Sequence, residues 1–351
     1  MRQGNAHTFK SFEDIIMKKR RLLKILGATV LVIALFFAVI NIIPPKKSVE
    51  ENPFIVEKGE LPMIAAHRGG SINNPENTLL AFREAVNTIG VDIIESDLYL
   101  TKDGHLVYNH DAYIDETCNV NGDIPLSEVK ELCKDKANRH YIENMTLAEL
   151  ENYNFGYYFE NENGERIYKN AADIGALGLG IATVDKLFEM FYETHPNLLF
   201  IVEIKDGGER GIEACRILAE NLERFPAYKD RIVIGTFNDE IEDELKKSYP
   251  ELLRGAPMGT AAKFIFTQYL RVNLFDNSDF ACLQIPISYD LGIEIPLAKK
   301  TLVRRAHRRN IAVQYWTVND ADEMRMLIEM GVDCIMTDDP KLMREVLEEY
   351  K

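Results

Sequence analysis

The feature that most constrains the fold of this 351-residue chain is an alternation of short apolar segments with amphipathic ones. The apolar segments are rich in β-branched residues along their whole length, as expected for parallel strands that are buried on both faces. Apolar residues at helical spacing occupy most of the stretches between them. The predicted strands are Met63–Ala66, Asp92–Leu98, Leu199–Ile204, Arg231–Thr236, Leu253–Ala256, Phe280–Ile285, Ala312–Trp316 and Cys334–Thr337. Predicted helices include Thr78–Thr88, Gly211–Arg224, Asp239–Ser248, Leu297–Arg309 and Ala321–Met330.

Eight strands alternating with helices predict an α/β fold, a (β/α)8 TIM barrel over residues 62–351. An open doubly wound sheet is the alternative. No Gly-x-Gly-x-x-Gly pattern follows the first strand, which argues against a dinucleotide site. Residues 112–182 break the alternation because they are polar and rich in Asn, Glu and Tyr. We expect them to form an insertion after the second strand and its hairpin, on the catalytic face.

An uncharged run near the N-terminus predicts a membrane span. Ile25–Ile43 contains 19 residues without a charge, close to the roughly 20 that cross a bilayer core. The run exceeds the ~7 to 15 apolar residues of most cleaved signal peptides, which are the alternative. We therefore predict a cytoplasmic tail (1–21), a transmembrane signal anchor (22–43) and a linker (44–61). The basic cluster Lys18–Arg21 places the N-terminus inside, so the catalytic domain of this single-pass cell-membrane protein is expected to be extracellular.

The charge of the chain is unevenly distributed. The net charge is -15, but residues 1–47 carry +7 and the remainder carries -22. A body this acidic repels nucleic-acid backbones, so no nucleic-acid partner is expected. Cys118 and Cys133 lie in a polar stretch and could pair in an oxidising exterior, whereas the other three cysteines are expected in the core. The oligomeric state is left open by the sequence.

Carboxylates lie near the carboxyl ends of two predicted strands, where the active site of a parallel barrel is found. Glu95 and Asp97 are two residues apart, and Glu203 and Lys205 repeat this spacing, so each pair points to one face of its strand. Three inward carboxylates repel one another unless a cation lies among them. Oxygen ligands favour one hard divalent cation, Mg²⁺ or Ca²⁺. The alternative is that Lys205 and Arg68 neutralise the acids without a metal.

A hairpin signal brings a histidine to the same place. Asp103-Gly104 is typical of a two-residue hairpin loop, and with that loop Asp97 faces His110. A three-residue loop shifts the pairing by one position and leaves the two residues adjacent. A functional role for His110 is therefore predicted from its placement.

The first strand ends in His67 and Arg68, followed by Gly69 and Gly70. Arg68 can contact an anionic oxygen with two donors, and the two glycines are expected to allow a sharp turn and close approach of a ligand. Two histidines, a hard cation and two basic side chains indicate phosphoryl chemistry. One histidine can remove a proton while the other protonates the leaving oxygen, and the cations can stabilise charge on the phosphoryl oxygens.

The segments HRGGSINNPENTLLAF, IESDLYLTKDGHLVYNHD, VEIK, WTVN and GVDCIMTDDP closely resemble the glycerophosphodiester phosphodiesterase family. The resemblance covers roughly residues 62–351. It implies a (β/α)8 barrel with an insertion after the His-Asp motif. It also implies hydrolysis of glycerophosphodiesters to glycerol 3-phosphate and an alcohol.

The resemblance also implies roles for individual residues. It implies that Glu95, Asp97 and Glu203 bind the divalent cation, and that His67 and His110 are the acid/base pair. We interpret His67 as the base and His110 as the acid. The substrate's own glycerol 2-hydroxyl is expected to attack phosphorus and give a cyclic phosphate that water then opens.

Three further residues are similar to substrate-contacting positions of the family. Arg68 and Lys205 resemble phosphate-contacting residues, and Trp316 resembles a wall of the glycerol pocket. The sequence departs from the family at Asp115-Glu116-Thr117, where many members read Asp-Arg-Thr, and this departure concerns the choice of substrate.

Two other functions are kept as alternatives. One is a phospholipase D-like enzyme that acts on membrane phospholipids or on glycerophosphate polymers of the envelope. The other is an inactive barrel used as a binding module.

Overall fold

The computed structural model describes residues 5–290 and 292–351, with side chains from residue 17 onward. The chain divides into two compact units. One holds the N-terminal part to Lys46 together with Phe264–Asn277, and the other holds Lys47–Lys263 and Ser278–Lys351.

Eight parallel strands of the second unit form the barrel, which confirms the predicted fold class. Their order around the sheet is β6-β5-β4-β2-β1-β11-β10-β7. A bridge between Gly255 and Cys282 joins β6 to β7, and the Ala281 amide donates to the Arg254 carbonyl at 2.8 Å. The strands are β1 Met63–Ala66, β2 Ile93–Leu100, β3 Leu106–Tyr108, β4 Leu199–Ile204, β5 Ile232–Gly235, β6 Leu253–Arg254, β7 Cys282–Ile285, β8 Ser288–Asp290, β9 Glu294–Pro296, β10 Ala312–Tyr315 and β11 Cys334–Thr337. Strand β3 pairs antiparallel with β2, and β8 pairs with β9.

Helices follow most of the barrel strands, as the alternation predicts. The first of them matches its predicted range to within one residue: Thr78 caps its start by accepting from the Ala81 amide, and its last turn, Ala85–Ile89, is a π-helix. The helices are α1 Asn5–Ile42, α2 Leu79–Glu84, α3 Leu126–Leu132, α4 Leu147–Leu150, α5 Ile174–Leu177, α6 Val184–Phe191, α7 Gly208–Arg224, α8 Asp239–Ser248, α9 Met258–Tyr269, α10 Lys300–His307, α11 Ala321–Met330 and α12 Pro340–Glu348.

The amino-terminal half of the barrel interior is apolar, and part of the predicted linker closes it. Phe54 is fully buried there among inward-facing side chains such as Ala65, Ile93 and Leu199. The Asn52 amide side chain donates to the Ala281 carbonyl at 2.8 Å, directly before β7. Apolar packing at this end leaves the polar side chains of the same strands at the carboxyl end.

The predicted insertion contains short helices, and its apolar side chains form two small clusters, one of which includes Val107 of β3. Asp115 is fully buried and accepts from the His140 amide and from Asn121. Asp115, which matches the family pattern, therefore stabilises the insertion, whereas Glu116, where the sequence departs from it, accepts from the Tyr113 hydroxyl at 2.9 Å. Cys118 and Cys133 lie in different clusters, and all five cysteines are free and buried.

Helix α1 belongs to the other unit. Among the described residues it is the one helix long and apolar enough to span a membrane, over Met17–Ile42, and only 6% of its most apolar window is buried. It is therefore not a core helix of this structure. A signal sequence passes the same test of length and composition.

Candidate active site

The turn after β1 positions His67 and Arg68 at the barrel mouth. It contains three consecutive residues with positive φ, Arg68 at 53°, Gly69 at 83° and Gly70 at 89°. A Cβ on Gly69 would lie 2.9 Å from the Ala81 side chain, and one on Gly70 would lie 2.7 Å from Pro340. The expected sharp turn is confirmed, and the two glycines allow it to pack against α2 and α12. Close approach of a ligand to this turn stays a prediction.

The structure brings the three predicted carboxylates to one mouth. Glu95 and Asp97 are 5% and 2% exposed, and Asp97 pairs in register with Glu203 on the neighbouring strand β4. The Lys205 Nζ lies 3.1 Å from Asp97 Oδ1 and 3.2 Å from Glu203 Oε1. The backbone amide of Arg68 donates to Glu95 Oε2 at 2.9 Å.

Burial, with the nearby Asp97 charge, makes Glu95 and Glu203 costly to ionise. Burial, with the Asp97 charge second, raises the pKa of Glu95 to about 8. Burial also raises the pKa of Glu203, which the charges of Lys205 and His110 partly offset. Burial lowers the pKa of Lys205, but Asp97 and Glu203 more than compensate and the pKa is raised. The mouth therefore favours an added positive charge.

The donors at the mouth are those that a hard cation takes. Asn77, with a left-handed φ of 54°, donates to Asp97 Oδ2 at 3.3 Å, and its own Oδ1 is buried without a hydrogen-bond partner. No group of three His, Cys, Asp or Glu side chains is arranged as a metal cage among the residues with described side chains. In this arrangement Lys205 neutralises part of the charge, as the salt-bridge alternative expects. The chemistry of the donor set nevertheless fits a divalent cation.

His67 is oriented by Asp338, a carboxylate whose role was not predicted from the sequence. The His67 Nδ1 lies 2.6 Å from Asp338 Oδ1, directly after β11. Asp338 also accepts from Ser71 and Asn319, each at 2.8 Å. Burial alone would raise the pKa of Asp338. The hydrogen bond and charge of His67, with the donors Asn319 and Ser71, outweigh burial and lower this pKa to about 2. Burial lowers the pKa of His67, yet Asp338 and Glu95 outweigh it and the pKa is raised. With Nδ1 donating to Asp338, Nε2 lies 3.9 Å from Glu95 Oε2.

The hairpin places His110 one position away from the first expectation. Strands β2 and β3 pair Leu98 with Tyr108, so Asn109, not His110, faces Asp97 and donates to its carbonyl at 3.0 Å. The prediction of a two-residue loop is wrong, and the alternative of a three-residue loop is confirmed. The reason is local, because the Thr101 hydroxyl accepts from the His105 amide and closes a longer loop. The His110 side chain is 34% exposed.

The remaining predicted residues lie at the same end of the barrel. Arg68 Nε lies 3.7 Å from Asp97 Oδ2, and its Nη1 lies 3.2 Å from Glu76 Oε2. Trp316 follows β10 and is 36% exposed. Beneath it, Gln314 is fully buried and accepts from Gln284 on β7 at 3.0 Å. This pair was not predicted from the sequence, although Gln314 and Trp316 show the same two-residue spacing on a strand as the carboxylates.

The sequence matches that of known enzymes over most of its length. It is 30% identical over 282 residues to a glycerophosphodiester phosphodiesterase of Caldanaerobacter subterraneus, covering 80% of this chain and 95% of that one. It is 26% identical over 303 residues to a mouse lysophospholipase D, covering 81% of this chain and 86% of the relative.

The fold also matches solved structures. One is an Oleispira antarctica phosphodiesterase in complex with the product sn-glycerol-3-phosphate, with a TM-score of 0.58 and 21% identity, covering 82% of this chain and 97% of that one. A model of the glycerophosphoryl diester phosphodiesterase family matches residues 67–342. A match of this extent shows that the chain belongs to the glycerophosphoryl diester phosphodiesterase family and is a phosphoric diester hydrolase.

Proposed function

We propose that the enzyme hydrolyses glycerophosphodiesters to glycerol 3-phosphate and an alcohol. The observation that carries this proposal is the grouping of His67, the three carboxylates and Lys205 at one end of the barrel. The solved relative from Oleispira antarctica holds glycerol 3-phosphate as its product, which supports this substrate class.

His67 is proposed as the base of the first step. Because Nδ1 is held by Asp338 at 2.6 Å, Nε2 is the nitrogen that can take the proton of the substrate's glycerol 2-hydroxyl. The hydroxyl oxygen then attacks phosphorus, and the bond from phosphorus to the alcohol oxygen breaks.

His110 is proposed as the acid that protonates this leaving oxygen. Its side chain is partly exposed, so it can serve alcohols of different size. In the second step water gives a proton to His110 and opens the cyclic phosphate, and the 2-oxygen recovers a proton from His67.

Glu95, Asp97 and Glu203 are proposed to hold one divalent cation, Mg²⁺ or Ca²⁺. When bound, this ion would neutralise charge that develops on the phosphoryl oxygens. Arg68 and Lys205 would contact the same oxygens, and both already lie within 4 Å of the Asp97 carboxylate. Trp316 would form a wall of the glycerol pocket.

The test uses the full chain in detergent with glycerophosphoglycerol, glycerophosphocholine and glycerophosphoethanolamine. We expect release of glycerol 3-phosphate in Mg²⁺ or Ca²⁺, its loss in excess chelator, and a decrease of ~10²- to 10⁴-fold in His110→Ala. His105→Ala is the matched control, because His105 is half exposed on the same hairpin and lies outside the proposed site.

A second candidate function is hydrolysis of lysophospholipids or of glycerophosphate polymers. The similarity to a mouse lysophospholipase D favours it, and so does the apolar helix α1. Lysophosphatidylcholine and a glycerophosphate polymer, assayed in parallel, distinguish it from the first candidate. Product from these alone would favour the second candidate. Product from none would favour the inactive binding module.

We also propose that residues 22–43 anchor the enzyme in the cell membrane with the barrel outside. The apolar helix is almost entirely unburied, and basic residues precede it. Retention of the chain in the membrane after alkaline washing, with cleavage of the barrel by protease added to intact cells, is the expected result. Recovery of a shortened soluble chain would indicate a cleaved signal sequence instead.

A further inference from the structure

A second apolar segment belongs to the same compact unit as helix α1. Residues Phe264–Asn277, which include the end of α9, are grouped with the N-terminal helix although more than 200 residues separate them in the chain. The Phe275 ring stacks on Phe36, with centroids 6.5 Å apart and planes at 14°. The Asn41 side chain donates to the Arg271 carbonyl at 3.0 Å. The segment therefore lies beside the last two turns of α1.

Those turns are the end of the proposed membrane span. The anchor residues of α1, 22–42, extend about 32 Å at ~1.5 Å per residue, which is close to the ~30 Å hydrocarbon core. Asn41 therefore lies where the helix leaves the bilayer, and Phe36 lies about 8 Å deeper. A segment that contacts both is held at the boundary between the acyl chains and the lipid headgroups.

The surface of this segment has the composition of a membrane-contacting surface. Phe266, Leu270 and Phe275 are 63%, 49% and 59% exposed. Of its two charged residues, Arg271 is exposed, whereas Asp276 is 4% exposed and accepts from Thr267. Exposed apolar side chains with a cation among them suit the acyl and headgroup region of a bilayer, in a protein that otherwise carries a large negative charge.

We propose that residues 264–277 form a second lipid-contacting element, which inserts Phe266, Leu270 and Phe275 into the membrane interface beside the anchor. This inference rests on the proposed membrane anchoring. It commits to a lipid bilayer as the partner, because the segment is continuous with the proposed span.

The test uses the full chain reconstituted in nanodiscs of phosphatidylcholine and phosphatidylglycerol. Cysteine is introduced by Phe266→Cys or Leu270→Cys and labelled with an environment-sensitive fluorophore, since the native cysteines are buried. Val30→Cys, in the middle of the apolar helix, reports on the anchor. Ser248→Cys, exposed at the end of α8, reports on a water-facing position.

Spin-labelled lipids should quench the fluorescence of the labels at 266 and 270 at least about half as strongly as that of the label at 30. This is the result expected for side chains inserted ~5–10 Å into the bilayer. The label at 248 should not be quenched. Quenching at 30 but not at 266 and 270 would overturn the inference and leave the anchoring intact. A blue-shifted emission at 266 without lipid quenching would assign the surface to a protein contact and would also overturn it. Absence of quenching at 30 would remove the anchoring proposal and this inference together.

Discussion

At the scale of single residues, Asp338 determines what His67 can do. Its carboxylate holds Nδ1 of the imidazole, so in the proposed reaction the other nitrogen is the one that meets the substrate. We expect Asp338→Asn to lower kcat by about 10- to 100-fold with little change in KM, because the amide can place the imidazole in the wrong tautomer while substrate contacts remain. Steady-state kinetics with glycerophosphoglycerol would measure both parameters.

The neighbouring aspartate provides a matched control for this prediction. Asp339 accepts from the Leu342 amide at the start of α12 and from Asn73, and it does not contact His67. Asp339→Asn is expected to lower thermal stability, and kcat at low temperature should remain close to that of the parent. Equal losses of kcat in the two variants would show that Asp338 acts only through the stability of the fold.

The three carboxylates make a prediction about cation binding that does not depend on activity. A cation that binds only the folded chain stabilises it by about 2.7 kcal/mol at 100 times its Kd. We expect Mg²⁺ or Ca²⁺ to raise the Tm of the parent and to have a much smaller effect on Glu203→Gln, measured by differential scanning calorimetry. Glu244→Gln, on the outer helix α8, is the control. An equal rise in all three proteins would place the cation elsewhere.

Sequence spacing predicted which residues meet at the mouth but not how they are held. Glu95, Asp97 and Glu203 could be placed because their positions depend only on strand alternation and strand order. The partner of His67 depends on the pairing of β1 with β11 across 271 residues. No local sequence pattern predicts the contact between His67 and Asp338. The only hint in the sequence was that the last predicted strand is followed by two carboxylates, Asp338 and Asp339.

At the scale of elements, strands were predicted more accurately than the segments that join them. Buried parallel strands have a strong apolar signature, and β1, β4 and β11 coincide with the prediction. The hairpin loop was one residue longer than its Asp-Gly signal indicates, because the Thr101 side chain bonds the His105 amide. Part of the charged linker packs under the barrel, which no periodicity of its sequence shows.

Phe54 tests the contribution of that packed stretch. Its side chain is fully buried at the amino-terminal end of the barrel. We expect Phe54→Ala to lower the free energy of unfolding by about 3–5 kcal/mol, because a large aromatic side chain leaves a cavity that the strands cannot fill. Denaturant titration in detergent would measure it. Phe237→Ala removes a ring that is 59% exposed and should change stability by less than about 0.5 kcal/mol. Similar losses of unfolding free energy in the two variants would contradict the view that Phe54 closes the amino-terminal end of the barrel.

At the scale of the whole molecule, an acidic protein acts on an anionic substrate. The chain after residue 47 carries a net charge of -22, whereas the cations at the mouth, Arg68 and Lys205, act only at short range. The long-range repulsion extends over about 30 Å at 0.01 M salt and about 8 Å at 0.15 M, and contacts between partly buried groups are screened much less. Added salt should therefore weaken the repulsion more than it weakens the contacts.

We accordingly expect kcat/KM for glycerophosphoglycerol to rise several-fold, within about one order of magnitude, as ionic strength increases from about 0.01 to 0.15 M. Glycerophosphocholine is the matched control, since its choline cation cancels the phosphate charge and its kcat/KM should stay nearly constant. The measurement keeps the divalent cation concentration fixed, so that cation binding is not varied with the monovalent salt. A fall for glycerophosphoglycerol alone would mean that Arg68, Lys205 and the bound cation dominate the approach of the substrate as well as its binding.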